Sequence, residues 1–260
     1  MKKLLCVSLL LIVVILPSCR DNSETSGHSA IGNTSTEARY AMMEACYSSY
    51  QSAQELVESA DIVYVGKVTG ISFRVLDATT ALPPTEKTEE RHRGLNTIYD
   101  IEISTSYKGG ASKSMQVRMM GGIMNYRVEE QVQVMRDNNA WRWDEGIPVW
   151  ENYAEYKIGE TYLFVVKQNG NRPAYVMNLD QSAYNLHNPF KKHTIGNHDE
   201  IEYYSGKTDQ YGSPIISARD VIMVFGKEKW DAFWTQWQKD NPDWETRLEK
   251  AEVKKALAEE

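Results

Sequence analysis

Hydrophobic and polar positions alternate with different periods along this chain, and each period predicts a different kind of element. In the middle the period is short. After Asp61, Ile62-Val63-Tyr64-Val65-Gly66-Lys67-Val68 is rich in β-branched residues and reads as a strand. Gly66 marks a bulge or bend within it, and Ile71 to Leu76 continues the strand after Gly70. Asp77 to Arg93 is a polar loop holding Pro83-Pro84 and many charges. Thr97 to Tyr107 alternates, with Ile98 out of step, and Lys108-Gly109-Gly110 turns the chain. Met115 to Met119 is a third strand, followed by Gly121-Gly122. Thr161 to Lys167, entered through Lys157-Ile158-Gly159-Glu160, is a fourth, and Asn169-Gly170 is a turn signal. Ala174 to Asn178 and Ala183 to Leu186 are short strands. About five strands joined mostly by turns suggest a small closed barrel, which leaves no exposed edges.

The ends of the chain read differently. Glu37 to Tyr50 is Ala-rich, and a helix there would bring Met42, Met43, Cys46 and Tyr47 to one side. Ser52-Ala53-Gln54-Glu55 is a capping-box pattern opening a short helix to Ser59. Near the C-terminus Trp230, Phe233, Trp234 and Trp237 stand at i, i+3, i+4 and i+7, a helical stripe expected to pack on the barrel. Gly226 fits the end of the segment before it. Asn241-Pro242 ends this helix and starts another, along which Trp244, Leu248 and Ala251 form a weaker stripe.

The first 19 residues read as an address. Lys2 and Lys3 precede an apolar run of 13 residues, Leu4 to Leu16, which is short for a membrane span. Leu16-Pro17-Ser18-Cys19 then resembles the lipobox of bacterial lipoproteins. The resemblance implies cleavage after residue 18, a lipid on the Cys19 sulfur, and a location in the bacterial cell envelope, anchored to a membrane on the extracytoplasmic side. Pro17 departs from the usual pattern. Several acyl chains hold a protein firmly where one does not, since each buried CH₂ contributes about 0.8 kcal/mol. Residues 19–36, poor in large apolar side chains, would form the tether; the seventeen from Arg20 to Thr36 span roughly 20–25 Å.

Composition narrows the functional classes. The chain has 260 residues and a formal net charge of −7, which becomes −9 once Lys2 and Lys3 leave with the signal. An acidic chain lacks the basic footprint of a nucleic-acid binder. Its 42% apolar and 25% charged residues are those of a globular protein. Three cysteines exclude a dense disulfide framework. Cys6 lies in the apolar run, Cys19 would be lipidated, and Cys46 is then alone: a small buried helix residue, or a lone reactive thiol with no His or Asn beside it in sequence.

The pieces from Ala60 to Val68, from Tyr99 to Gly109, Val117-Arg118 with Gly121-Gly122, and from Tyr156 to Phe164, in that order and spacing, resemble bacterial lipoproteins bearing the OB-fold of tissue inhibitors of metalloproteinases and netrin modules. That resemblance implies a five-stranded Greek-key barrel and protein binding without catalysis. It does not bring the inhibitor mechanism. In that family a free N-terminal cysteine grips the protease zinc, whereas Cys19 would be lipidated, and the family's disulfides are missing. The expected fold is a β-rich α+β protein. An OB-like domain would span residues 37–226, with a helix at 37–59 and an aromatic insertion at 124–156, and C-terminal helices at 227–260.

Candidate chemistry is sparse. No Gly-x-Ser-x-Gly, phosphate loop or Cys-x-x-Cys occurs, and no cofactor is expected. His193 and His198, near Asp199, Glu200 and Glu202, are the weak metal candidates; their spacing of five does not put them on one helix face. They sustain an alternative reading as an envelope metal-assisted hydrolase. The leading reading is a binding module for a protein or envelope polymer. Its site is expected in the insertion, a hairpin extension carrying Tyr126, Trp141, Arg142, Trp143, Trp150, Tyr153 and Tyr156, residue types that dominate recognition surfaces. Rings that pack on the barrel would not serve; rings left exposed would.

Overall fold

A computed structural model describes residues 39–43, 50–110, 112–141, 144–150, 155–168, 170, 172–178, 181–189 and 216–247. The signal and tether at 1–36, Cys46 and residues 248–260 lie outside them. Ala38–Glu260 forms one unit. The described residues make a β-rich α+β fold with a six-stranded mixed sheet, a two-stranded parallel sheet and five α-helices.

The sheet is organised by two long strands. β2 (Ile62–Asp77) and β3 (Arg93–Lys108) are antiparallel partners along their whole length. Between them lies the expected polar loop, closed by a 3-10 turn at Glu90–His92. β2 continues through Gly70 to Asp77, as the sequence suggested, with irregularities at Val63/Tyr64, Val65/Gly66 and Val68/Gly70. Bulges bend and twist a strand without ending it. At Gly66 the approach of β3 is close: a Cβ there would lie 2.4 Å from Ile101 Cγ2 and 3.0 Å from the Glu102 carbonyl oxygen.

β4 (Ser114–Met120) adds to β3, and β6 (Thr161–Lys167) adds to the other edge of β2, Ile62 opposite Val166 and Lys67 opposite Thr161. β7 (Ala174–Val176) lies parallel to β4 and antiparallel to β6. The pairings therefore run β2–β3–β4–β7–β6 and return to β2. β8 (Ala183–Asn185) follows β7 along the same edge of β6. Between β7 and β8 the Ser182 hydroxyl accepts from the backbone N–H groups of Met177 and Asn178, satisfying donors that the interrupted ladder leaves over.

Two cores meet in these strands. In β2 and β6, Ile62, Tyr64, Tyr162, Phe164 and Val166 belong to one cluster, and Val63, Val65, Leu163 and Val165 to the other. Successive side chains of a strand point to opposite faces. Burial of both faces explains why these stretches are continuously apolar instead of alternating. The first cluster holds an aromatic group: the Tyr156 ring lies 4.8 Å from Tyr99, 5.2 Å from Tyr162 and 5.3 Å from Phe164. Burial pushes the Tyr64 and Tyr99 phenols well above their ordinary pKa, so they are neutral at physiological pH.

Helices cover the second cluster. α1 (Ala53–Ser59) begins where Ser52 accepts from the Glu55 N–H at 3.1 Å; the Glu55 carboxylate accepts from Gln51, one residue earlier than a full capping box requires. Its C-terminal carbonyls at Val57 and Glu58 receive the Lys108 ammonium. α3 (Ala218–Met223) has a complete capping box through Ser217 and Asp220. α4 (Lys227–Asp240) carries the tryptophan stripe, and α5 (Trp244–Arg247) follows Pro242. Trp230 and Trp237 are buried, Phe233 and Trp234 half-buried, and Trp237 Nε1 donates to the Leu186 carbonyl at 2.7 Å. The stripe thus packs on the sheet, as its spacing predicts.

The expected helix over Glu37 to Tyr50 is corrected at its start. Tyr40–Met43 is a strand, β1, paired in parallel with β5 (Ile147–Trp150). An Ala-rich composition favours helix only weakly, and an available strand edge overrides it. The strand also separates Met42 from Met43. Met43 Cε lies against Gly121, whereas Met42 is exposed.

Trp230 has no solvent-exposed surface. Trp230→Ala will lower unfolding free energy by about 3–5 kcal/mol, measured by urea denaturation of the otherwise unchanged full-length chain.

Candidate functional site

The expected hairpin extension over 124–156 is built instead from a helix, α2 (Val128–Asp137), and the strand β5. Gln131 fastens α2 to the turn before it. It is fully buried; its Oε1 accepts from the Ile123 N–H at 2.9 Å, and its Nε2 donates to the Ile123 carbonyl at 2.9 Å and to the Tyr126 carbonyl. Gly122 leaves the room: a Cβ on it would overlap the Gln131 amide oxygen.

The aromatic residues divide by burial. Tyr156 is in the core. Tyr126 is half-buried, its ring 6.3 Å from that of Phe73 and 5.9 Å from the Arg127 guanidinium. Trp150 is half-buried and donates from Nε1 to the Met120 carbonyl at 2.6 Å. Trp141 is 51% exposed. Arg142, Trp143 and Tyr153 lie outside the described residues, as do Cys19, His193 and His198. Among the described residues no group of three or more His, Cys, Asp and Glu is arranged to hold a metal ion. His92 is half-buried beside the loop and His187 is exposed.

Trp141 stands on a hydrogen-bonded frame. Its backbone N–H donates to the Arg93 carbonyl at 2.9 Å. The Arg93 guanidinium donates to the carbonyls of Thr88, Asn138 and Thr85 at 3.1, 3.2 and 3.2 Å, joining the loop after β2 to the end of α2. Asp77 holds the loop from its other end: Oδ1 accepts from the Thr79 and Thr80 N–H groups, and Oδ2 from the Thr88 hydroxyl. Several large apolar side chains are exposed, Leu82 in this loop and three methionines on other elements. Met42, Met120 and Met124 are 50%, 47% and 39% exposed, and Leu82 is 46% exposed. The elements bearing the methionines are joined by the Trp150–Met120 bond and by Tyr40, whose hydroxyl accepts from the Asn125 N–H at 2.9 Å and donates to its side-chain oxygen.

A second polar surface lies on the outward side of β3, β4 and β7, and the sequence reading did not single it out. Gln116 donates to Asp100 at 2.8 Å, and the Arg118 guanidinium sits 5.3 Å from the centre of the Tyr175 ring. The signal was present in β4, where Met115, Val117 and Met119 alternate with Gln116 and Arg118. Pairing with β7, sixty residues on, is what places Tyr175 beside Arg118.

The Thr80 N–H, with help from Thr79, Thr88 and His92, holds the Asp77 carboxyl below the usual carboxylate range. A depressed native pKa stabilises the fold above the unfolded value of about 3.9, and the effect fades as pH falls through the native pKa. The stability difference between the wild type and Asp77→Asn, followed by thermal melting, is therefore expected in full above about pH 5 and to shrink below about pH 4. Protection of the Thr79 and Thr80 amides against hydrogen exchange, taken relative to the intrinsic rate at each pH, will fall over the same acid range.

No family model matches the chain and no curated protein matches it, so its function is read from its own residues and geometry.

Proposed function

We propose that this protein is a lipid-anchored protein of the bacterial envelope with an OB-like barrel. It binds a protein or an envelope polymer and performs no catalysis on it. The cyclic order β2–β3–β4–β7–β6, with β4–β7 its parallel pair, supports the barrel, because such an order is what a five-stranded Greek-key barrel requires. The anchor rests on the lipobox-like Leu16-Pro17-Ser18-Cys19. No helix among the described residues is long and apolar enough to cross a membrane, so an anchor through them would have to be of another kind.

The observation that carries binding is the half-exposed Trp141, its backbone held by Arg93; Met42, Met120 and Met124 are further exposed apolar side chains. A rigid ring loses little conformational entropy when covered, and flexible thioethers adapt to a partner's shape. Half-buried Trp150 and Tyr126 brace this surface.

Two experiments test the reading. Cys19→Ser should abolish labelling by a fatty-acid probe and move the protein from the membrane fraction to the soluble one; unchanged fractionation overturns the anchor. A photo-crosslinking residue in place of exposed Met120, with Trp141 kept, should capture a discrete adduct in intact cells that one in place of exposed Ile158 does not. Trp141→Ala should lose capture by a native partner while shifting stability by no more than about 0.5 kcal/mol; a large loss of stability would show the ring to be structural.

A further inference from the structure

Among the described residues, no strand lies against the outer edge of β1 in the two-stranded sheet. The register fixes which backbone groups stand there. The Ile147 N–H donates to the Arg39 carbonyl, and Tyr40 is opposite Ile147 as Met42 is opposite Val149. In a parallel pair such a residue sends its N–H and its C=O to the two residues flanking its opposite number. Ile147 and Val149 therefore bond to Arg39, Ala41 and Met43, and the N–H and C=O groups of Tyr40 and Met42 turn away from β5. Pro148 agrees with this phase: it has no N–H, and its carbonyl accepts from Gly122 on the far side of β5. Among the described residues nothing bonds to the outward backbone groups of Tyr40 and Met42.

Exposed edges are normally blunted by lysine, proline or a bulge, which stop another strand from adding. Tyr40-Ala41-Met42-Met43 contains neither lysine nor proline, and its register with β5 is unbroken. Met42 is 50% exposed beside it. The outward groups are spaced as a strand ladder, so another strand is the partner that satisfies them together.

We propose that the edge of β1 pairs with the same edge of a second copy of this chain, antiparallel, about a two-fold axis through Ala41. A two-fold axis sets one patch against itself. With the axis at Ala41, Tyr40 exchanges both backbone bonds with the partner's Met42, and Met42 with the partner's Tyr40, so every outward group of both strands is used. An axis at Tyr40 or at Met42 would pair only one of the two. Ala41 meets the partner's Ala41 at the closer spacing, about 4.5 Å between Cα atoms, where a small side chain fits. The Tyr40 ring comes beside the partner's Met42, a favourable thioether–aromatic contact. No charge stands between positions 40 and 43 to oppose a copy of itself. Residues 1–38 lead straight into β1, so copies anchored as proposed above would present this edge to one another at high local concentration. Pairing itself requires neither the anchor nor the Trp141 ring.

The test is oxidative cross-linking in intact cells expressing the full-length chain with Cys46→Ser. Ala41→Cys in that background should form a disulfide-linked dimer, because the expected Cα spacing suits a disulfide. Ile158→Cys, at an exposed position before β6, should not, nor should Cys46→Ser alone. Met42→Pro removes an N–H that points away from β5, so it should leave the melting temperature unchanged and abolish the dimer. Met42→Lys keeps the backbone intact and should abolish it too. Sedimentation of the full-length chain in a non-ionic detergent should give about twice the monomer mass, falling to the monomer in Met42→Pro. This arm needs no membrane, so failure of the anchor leaves it readable. A disulfide yield at position 41 no higher than at 158, or a dimer that survives both Met42 variants, overturns the proposal. So does an adduct from position 41 to a different protein, which would assign the edge to that protein.

Discussion

The pairing of β2 with β6 over Ile62–Lys67 and Thr161–Lys167 is the contact on which the rest of the molecule depends. It joins segments about a hundred residues apart, so its closure entropy must be offset by what it buries. Val63, Val65, Leu163 and Val165 point to one side, and Tyr64, Tyr162 and Phe164 to the other, nearly all of them without exposed surface. Two cores therefore share one pair of strands. Packing on the helical side stiffens the sheet that encloses the aromatic side.

Bulging allows β2 to take two partners. A straight strand of 16 residues would carry its edges apart from one another. Irregularities at Val63/Tyr64, Val65/Gly66 and Val68/Gly70 curve β2, so its first half serves both β3 and β6 while its second half stays with β3 alone. The second half delivers the chain to Asp77 and the loop that Arg93 ties to α2. The Trp141 surface thus rests on the same curvature that closes the pairing order.

An irregular segment makes the Trp141 surface. Trp141 is presented by a loop and a helix end, with carbonyls satisfied by Arg93 instead of a strand partner. There the regular strand ladder stops and side-chain donors satisfy the backbone. Binding residues collect on such segments because a rigid scaffold positions them.

Much of the fold was legible from residue order alone. The strands around Val63, Tyr99, Val117 and Leu163 appear where β-branched runs and Gly turns place them, and the Trp230–Trp237 stripe is a packed helix face. These signals are local: the period of a segment reports which sides of it avoid water. The Ser217–Asp220 box follows the short-range Ser-x-x-Asp pattern, though the sequence reading did not single it out. What local pattern could not report is partnership. Tyr40–Met43 is a strand because β5 lies beside it, and Gln131 is buried in α2 because Ile123 and Tyr126 need its amide. Among rings of similar composition, the sequence marked Tyr126, Trp141, Trp150 and Tyr156 alike. Only tertiary structure, by deciding which of them the sheet covers, left Trp141 in water and set Tyr175 against Arg118. Exposure is a property of neighbours in space, and these neighbours come from distant parts of the chain.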